Sequence, residues 1–229
     1  MVRSYTIEIN NNTGSPQNYA LISEKPQVTG PHNSTVWSNV CQTAVYCPHE
    51  GNATFETNNS YFGIVGTWRG GAKDGASVTV TQSKEVTLGT VSADGSQNRG
   101  TSLRMVVMDG QSPSFDNSFA PPSAFVNAFQ VDTGNDFTLQ TAIENSFFVG
   151  VGNAFYDGST VPLATFRPEP RCRYQIQPSN SFYISFGDPM QVGQMVDLAK
   201  MRQPLRIDFN NGPNVTVNHT PTGQLVIAR

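Results

Sequence analysis

Three histidines, His32, His49 and His219, are the first residues to weigh for proton chemistry, because an unperturbed imidazole titrates near neutral pH. His49 lies in Cys47-Pro48-His49-Glu50-Gly51, where proline and glycine mark a turn. Neighbours on a strand point to opposite faces, but in a loop Glu50 could swing toward His49 and orient it as a base. His32 follows Pro31 in a polar loop, and His219 adjoins the C-terminal hairpin turn, where an exposed ring is expected. Asp109 and Asp116 close the two ends of Asp-Gly-Gln-Ser-Pro-Ser-Phe-Asp. Turn capping is the ordinary role of such residues; acid–base work or calcium ligation by loop oxygens is the functional one.

Aromatic rings are the second chemical resource. A phrase of Asn-Ser, two aromatics, three residues and Gly occurs as Asn59-Ser60-Tyr61-Phe62 to Gly66, Asn145-Ser146-Phe147-Phe148 to Gly152, and Asn180-Ser181-Phe182-Tyr183 to Gly187. A turn-forming pair followed by an aromatic and β-branched run reads as a strand start. Adjacent strand residues face opposite ways, so each pair offers one ring to the core and one to the other face. Tyr61, Phe148 and Tyr183 are therefore the candidate ligand-stacking rings, with core packing or a contact between copies as the competing use.

Other chemistries find little support. The sequence holds no Gly-x-Ser-x-Gly elbow and no Gly-x-x-x-x-Gly-Lys phosphate loop. Cys41 and Cys47 could close a small loop under oxidising conditions, while Cys172 stands apart; the Cys-x-x-Cys spacing of a structural zinc site is missing, so neither metal nor cofactor is expected. Net charge is −3 and the basic residues are scattered, which argues against a nucleic-acid partner. Arg167, Arg171 and Arg173 could share one face of an extended segment, most simply as a decorated sheet edge.

The elements that must position these groups are strands. Tyr5, Ile7 and Ile9 alternate with polar residues, and the same period recurs at Leu103, Met105 and Val107, at Phe137 and Leu139, and at Leu205, Ile207 and Phe209. Asp-Gly pairs at 74, 94, 109 and 157 supply turns. Asn214–His219, a Thr-Pro-Thr-Gly connection and Gln224–Ala228 form the clearest hairpin. Val192 to Met201 is the best helical candidate, and Phe125 to Phe129 fits a helical turn or a strand equally. The 229 residues are thus expected to form one all-β domain, 1–229, an antiparallel β-sandwich of jelly-roll character with one or two short helices.

Tyr5 to Pro26, with Ile-Asn-Asn-Asn-Thr-Gly-Ser-Pro-Gln-Asn-Tyr-Ala-Leu, resembles the start of small uncharacterised β-proteins of fungi and some bacteria. The resemblance covers the first strand and turn and implies no activity.

Charged residues are 14% of the chain, against roughly 25% in typical soluble domains, so Asn, Thr, Ser and Gln must supply much of the polar surface. A neutral hydrogen-bonding surface suits a non-catalytic, lectin-like binding module. The second expectation is a cofactor-independent enzyme acting on a small apolar metabolite in an aromatic-lined cavity, with His49, Asp109 or Asp116 as acid or base. A third is a self-assembling homo-oligomer joined through Asn-rich edges and aromatic patches. The opening residues have no apolar leader and no stretch is long enough to span a bilayer, so a cytoplasmic protein without a membrane partner is expected, while several Asn-x-Ser/Thr sequons leave secretion open.

Overall fold

A computed structural model describes residues 3–31, 33–108, 112–117, 121–154, 159–209 and 212–228. Alternation does what the sequence expects at the first strand, β1 (Ser4–Asn11), where Tyr5, Ile7 and Ile9 are buried and Ser4, Thr6 and Glu8 are not. Then come β2 (Gln17–Ser23), β3 (Gln27–Thr29), β4 (Trp37–Cys47), β5 (Asn52–Asn58), β6 (Tyr61–Arg69) and β7 (Ser77–Val86). The short β8 (Thr90–Val91) and β9 (Gln97–Asn98) precede β10 (Ser102–Val106), β11 (Ser114–Phe115) and β12 (Phe129–Thr133). One helix, α1 (Leu139–Glu144), leads to β13 (Phe147–Ala154), β14 (Thr160–Phe166), β15 (Arg173–Gln177) and β16 (Ser181–Phe186). The remaining strands are β17 (Met195–Val196), β18 (Leu205–Asp208), β19 (Asn214–His219) and β20 (Leu225–Ile227).

The strands make a mostly-β fold of several sheets. The largest has nine strands in the order β18-β16-β2-β4-β14-β13-β6-β7, with β17 beside β4; the others run β20-β19-β1-β5, β11-β10-β12-β15-β3 and β8-β9. The expectation of purely antiparallel pairing needs correction, since β1 pairs parallel with β19 and β10 with β12. Only strands joined by tight turns are bound to run antiparallel, and neither of these pairs is so joined. The C-terminal hairpin is present, with β19 and β20 antiparallel.

The main buried cluster takes Ile7, Ile9 and Val217 from the four-stranded sheet, Met105, Phe129 and Tyr174 from the five-stranded sheet, and Leu21, Val149 and Phe166 from one face of the large sheet. Gly63 on β6 shows how closely they pack: a Cβ there would lie 2.5 Å from Leu103 Cδ1. The large sheet's other face carries two smaller clusters. Met195 covers Ile64, Trp68 and Phe148, and Val196 covers Ala20, Ile22 and Val40.

That covering explains a second correction. Val192, Met195 and Val196 have helical spacing, yet Met195 and Val196 form β17 on the edge of β4, and Asp197 caps only a 3-10 turn at Leu198–Lys200. Burial of both side chains on the sheet outweighs the weak periodicity. Likewise Phe137 and Leu139 do not continue a strand, because Thr138 accepts a hydrogen bond from the Thr141 N–H (3.0 Å) and starts α1. Phe129 begins a strand rather than a helical turn.

Each repeated phrase opens a strand, and the first two copies pair with each other. In the β6–β13 ladder Phe148 lies opposite Gly66 and Gly152 opposite Phe62, so the aromatic of one phrase meets the closing glycine of the other in both directions. Both strands also shift register toward their outer neighbours just before that glycine, at Val65/Gly66 and at Val151/Gly152. A Cβ on Gly66 would lie 2.9 Å from Phe148 Cζ and 2.0 Å from Thr79 O, so only glycine lets the ring lie across the strand. The third copy starts β16, and its Gly187 follows the strand's end at φ +122°.

Strand β4 bends the large sheet. Its first residues, Trp37 and Ser38, pair with β14, while Val40 to Cys47 pair with β2. The curvature brings Tyr61 at the start of β6 to Asn180 just before β16, although β2, β4, β14 and β13 lie between the two strands in sheet order.

Candidate functional site

The structure distributes the sequence candidates over two clefts, a core and a surface turn. The first cleft, of about 510 Å³, opens at the β10–β11 edge. Its walls include Val106, Val107, Met108 and Phe115, together with Arg104, Asp116 and Asp136. The antiparallel pairing of Met105 with Phe115 sets the frame, and the Asp116 N–H donates to the Arg104 carbonyl at 2.9 Å. Lys84 Nζ donates to the Asp116 carbonyl at 2.8 Å, and the Asp136 carboxylate accepts from the Val107 N–H. Phe115 is core, whereas Met108 is 65% exposed and presents an apolar lip. Arg104 makes no ion pair among the described residues. Asp109, the partner proposed for Asp116, lies outside the described residues, as does His32.

The second cleft, of about 900 Å³, lies where the bent sheet brings the first and third repeated phrases together. Asn59, Ser60 and Tyr61 form one side, and Ser179, Asn180 and Ser181 the other. The Tyr61 hydroxyl donates to Asn180 Oδ1 at 2.6 Å and closes the seam. Behind this wall Glu24 gathers the local charge. It accepts from Arg206 Nε (2.9 Å) and Nη2 (3.1 Å), from Ser179 Oγ (2.7 Å) and from the Tyr183 hydroxyl (3.3 Å). Arg206 also reaches Asp208 and Ser181. The Arg206 hydrogen bonds hold the Glu24 carboxyl down to about 2, against the pull of burial, and Ser179 adds to them.

No family model, curated protein or solved structure matches this chain.

The candidate aromatics divide accordingly. Tyr61 is only 6% exposed and touches the second cleft with its edge; burial raises its phenol. Tyr183 is half-buried and joins that cleft through Glu24. Phe148 is fully buried, stacked on Trp68 at 6.2 Å between centroids under the Met195 segment, so it offers no face to a ligand. The expected outward ring of that pair is instead covered by chain from elsewhere in the sequence.

His49 and Glu50 do converge, with Nε2 and Oε1 3.8 Å apart, because Glu50 adopts φ +61° in the turn. His49 Nδ1 accepts from the Gly14 N–H at 3.2 Å. Both side chains are exposed, so water screens the pair, and neither residue lines the clefts described here. The arginines also separate: Arg167 lies over the Trp68 ring, while Arg173 pairs with Asp132 at 3.0 Å.

The histidine expected at the surface is the buried one. His219 has no exposure, its Nδ1 is 3.0 Å from the Tyr19 hydroxyl, and the Phe186 ring lies 4.2 Å away. Burial raises the Tyr19 phenol, so the group that meets Nδ1 is a neutral hydroxyl. The other ring nitrogen, Nε2, has no hydrogen-bond partner among the described residues. Burial lowers the imidazole's pKa from 6.5. The signal was available: Val217 and His219 share a strand face, and Val217 is core. All three cysteines are free, and burial pushes the Cys41 thiol up to about 12, which makes it a poor nucleophile. Among the described residues no cluster of His, Cys, Asp and Glu could hold a metal, and no helix is long and apolar enough to cross a membrane.

Proposed function

We propose that the protein is a cofactor-independent enzyme that acts on a small, largely apolar molecule in the cleft at the β10–β11 edge. One observation carries this reading: Val106, Met108 and Phe115 share a recess of about 510 Å³ with Asp116, Asp136 and an arginine that makes no ion pair among the described residues. Small-molecule sites commonly measure roughly 300–1,000 Å³ and combine apolar walls with a few convergent polar groups. Asp116, half-buried in the cleft wall, takes the proton-exchanging role, and Asp136 positions the wall by holding the Val107 N–H. Arg104 would steady negative charge that develops on the bound molecule.

Native mass spectrometry of protein purified gently from its source tests this. The expected result is a retained small molecule that Met108→Asp fails to hold, and whose conversion falls at least about a hundredfold in Asp116→Asn, the usual scale of acid–base catalysis. Ligand-free protein, together with NMR fragment screening that shifts no signals of Val106, Met108 or Phe115, would refute it.

The layering is also best read as a β-sandwich of jelly-roll character. The four- and five-stranded sheets share their buried cluster with one face of the large sheet, and β4 changes partners at a bend as corner strands do. Small-angle scattering that required an extended particle would contradict this reading.

A further inference from the structure

The geometry points to the second cleft as an independent binding site for a neutral oligosaccharide. The ligand class follows from which groups are already engaged. The cation beside the cleft is already engaged, since Arg206 is held by Glu24 and Asp208, and the exposed Glu85 carries the remaining charge. Four neutral side chains are unengaged: those of Ser60, Thr90, Asn127 and Gln177 make no hydrogen bond among the described residues, and all four line the recess. Asn180 adds an oriented donor. Its Oδ1 is taken by Tyr61, which fixes the amide plane and leaves the Nδ2 hydrogens for a ligand.

Such amides and hydroxyls match sugar hydroxyls, each of which donates and accepts at once. Leu88 and Pro178 supply a small apolar strip for the C–H face of a ring. A peptide would instead require an unpaired strand edge or side-chain pockets. Among the described residues Glu85 and Asp208 line the cleft against one cation, Arg206, so sulfated or sialylated chains meet like charge. With Tyr61 largely buried there is no exposed stacking platform, and affinity on the order of 1 mM is expected, about −4 kcal/mol.

Ligand-observed NMR with maltotetraose, cellotetraose and mannotetraose, and a heparin tetrasaccharide as the anionic control, tests the site. At least one neutral probe should bind, and the double variant Asn127→Gly/Gln177→Ala should weaken it about tenfold without lowering Tm, because glycine accepts the φ of +61° at Asn127. Thr90→Ala is the fallback should the double variant lose stability. Asp116→Asn should leave sugar binding unchanged, which separates this site from the catalytic one. Absence of binding by every neutral probe, preference for the heparin fragment, or binding indifferent to all these variants would overturn the assignment.

Discussion

The two clefts differ in what their charged groups are doing. At the β10–β11 edge, Arg104 has no ion-pair partner among the described residues and the surrounding surface is partly apolar, so charge is held ready beside a greasy wall. In the Tyr61–Asn180 cleft the cation Arg206 is neutralised by Glu24 and Asp208, and amides and hydroxyls line the recess beside Glu85. Burial differs too. The first cleft is floored by a core phenylalanine, while the second is closed by a hydrogen bond from the start of β6 to the residue before β16. A recess with an unpaired arginine and apolar walls suits chemistry on a small molecule; one whose arginine is already neutralised suits selective but weak recognition of a polar chain.

The contrast predicts unequal sensitivity to substitution. Phe115→Ala removes a core side chain and should cost about 3–5 kcal/mol in chemical denaturation. Tyr61→Phe deletes only the seam's hydroxyl, and a loss of about 1 kcal/mol is expected. Equal costs would mean that both clefts rest on the core in the same way.

Acid should reach the two regions differently. Glu24 has a depressed pKa, so its contribution is complete above its ordinary value of 4.5 and is lost as pH falls toward about 2. His219, also depressed, contributes above 6.5 and loses that contribution as pH falls below it, because the unfolded chain takes up the proton first. Stability should therefore decline in two stages on acidification. His219→Gln should flatten the upper stage and Glu24→Gln the lower; a curve unchanged by both would remove this account. The smallest effect belongs to the His49–Glu50 turn, where His49→Ala should alter stability by no more than about 0.5 kcal/mol and leave both clefts functioning.

Strand content, the C-terminal hairpin and the three aromatic strand starts were legible because period-2 alternation and turn residues are local signals. Asp116 was legible as a loop carboxylate, whereas Tyr61, expected as an outward stacking ring, is nearly buried at the margin of the second cleft. Glu24 and Arg206 were not, being 182 residues apart and joined only by strand order. Phe148 was misread outward because period 2 assigns a face but does not say what covers that face. His219 was misread because its neighbouring turn was given more weight than its place in line with Val217. Parallel pairing of β1 with β19 leaves no trace in either segment alone.

The reciprocal match of the first two phrases has a consequence for the unfolded chain. A segment whose aromatic fits its own copy's glycine in antiparallel register is equally complementary to the same segment on another molecule. Two chains refolding side by side thus meet a foreign partner as suitable as their own, and dilution is the condition that favours the intramolecular match.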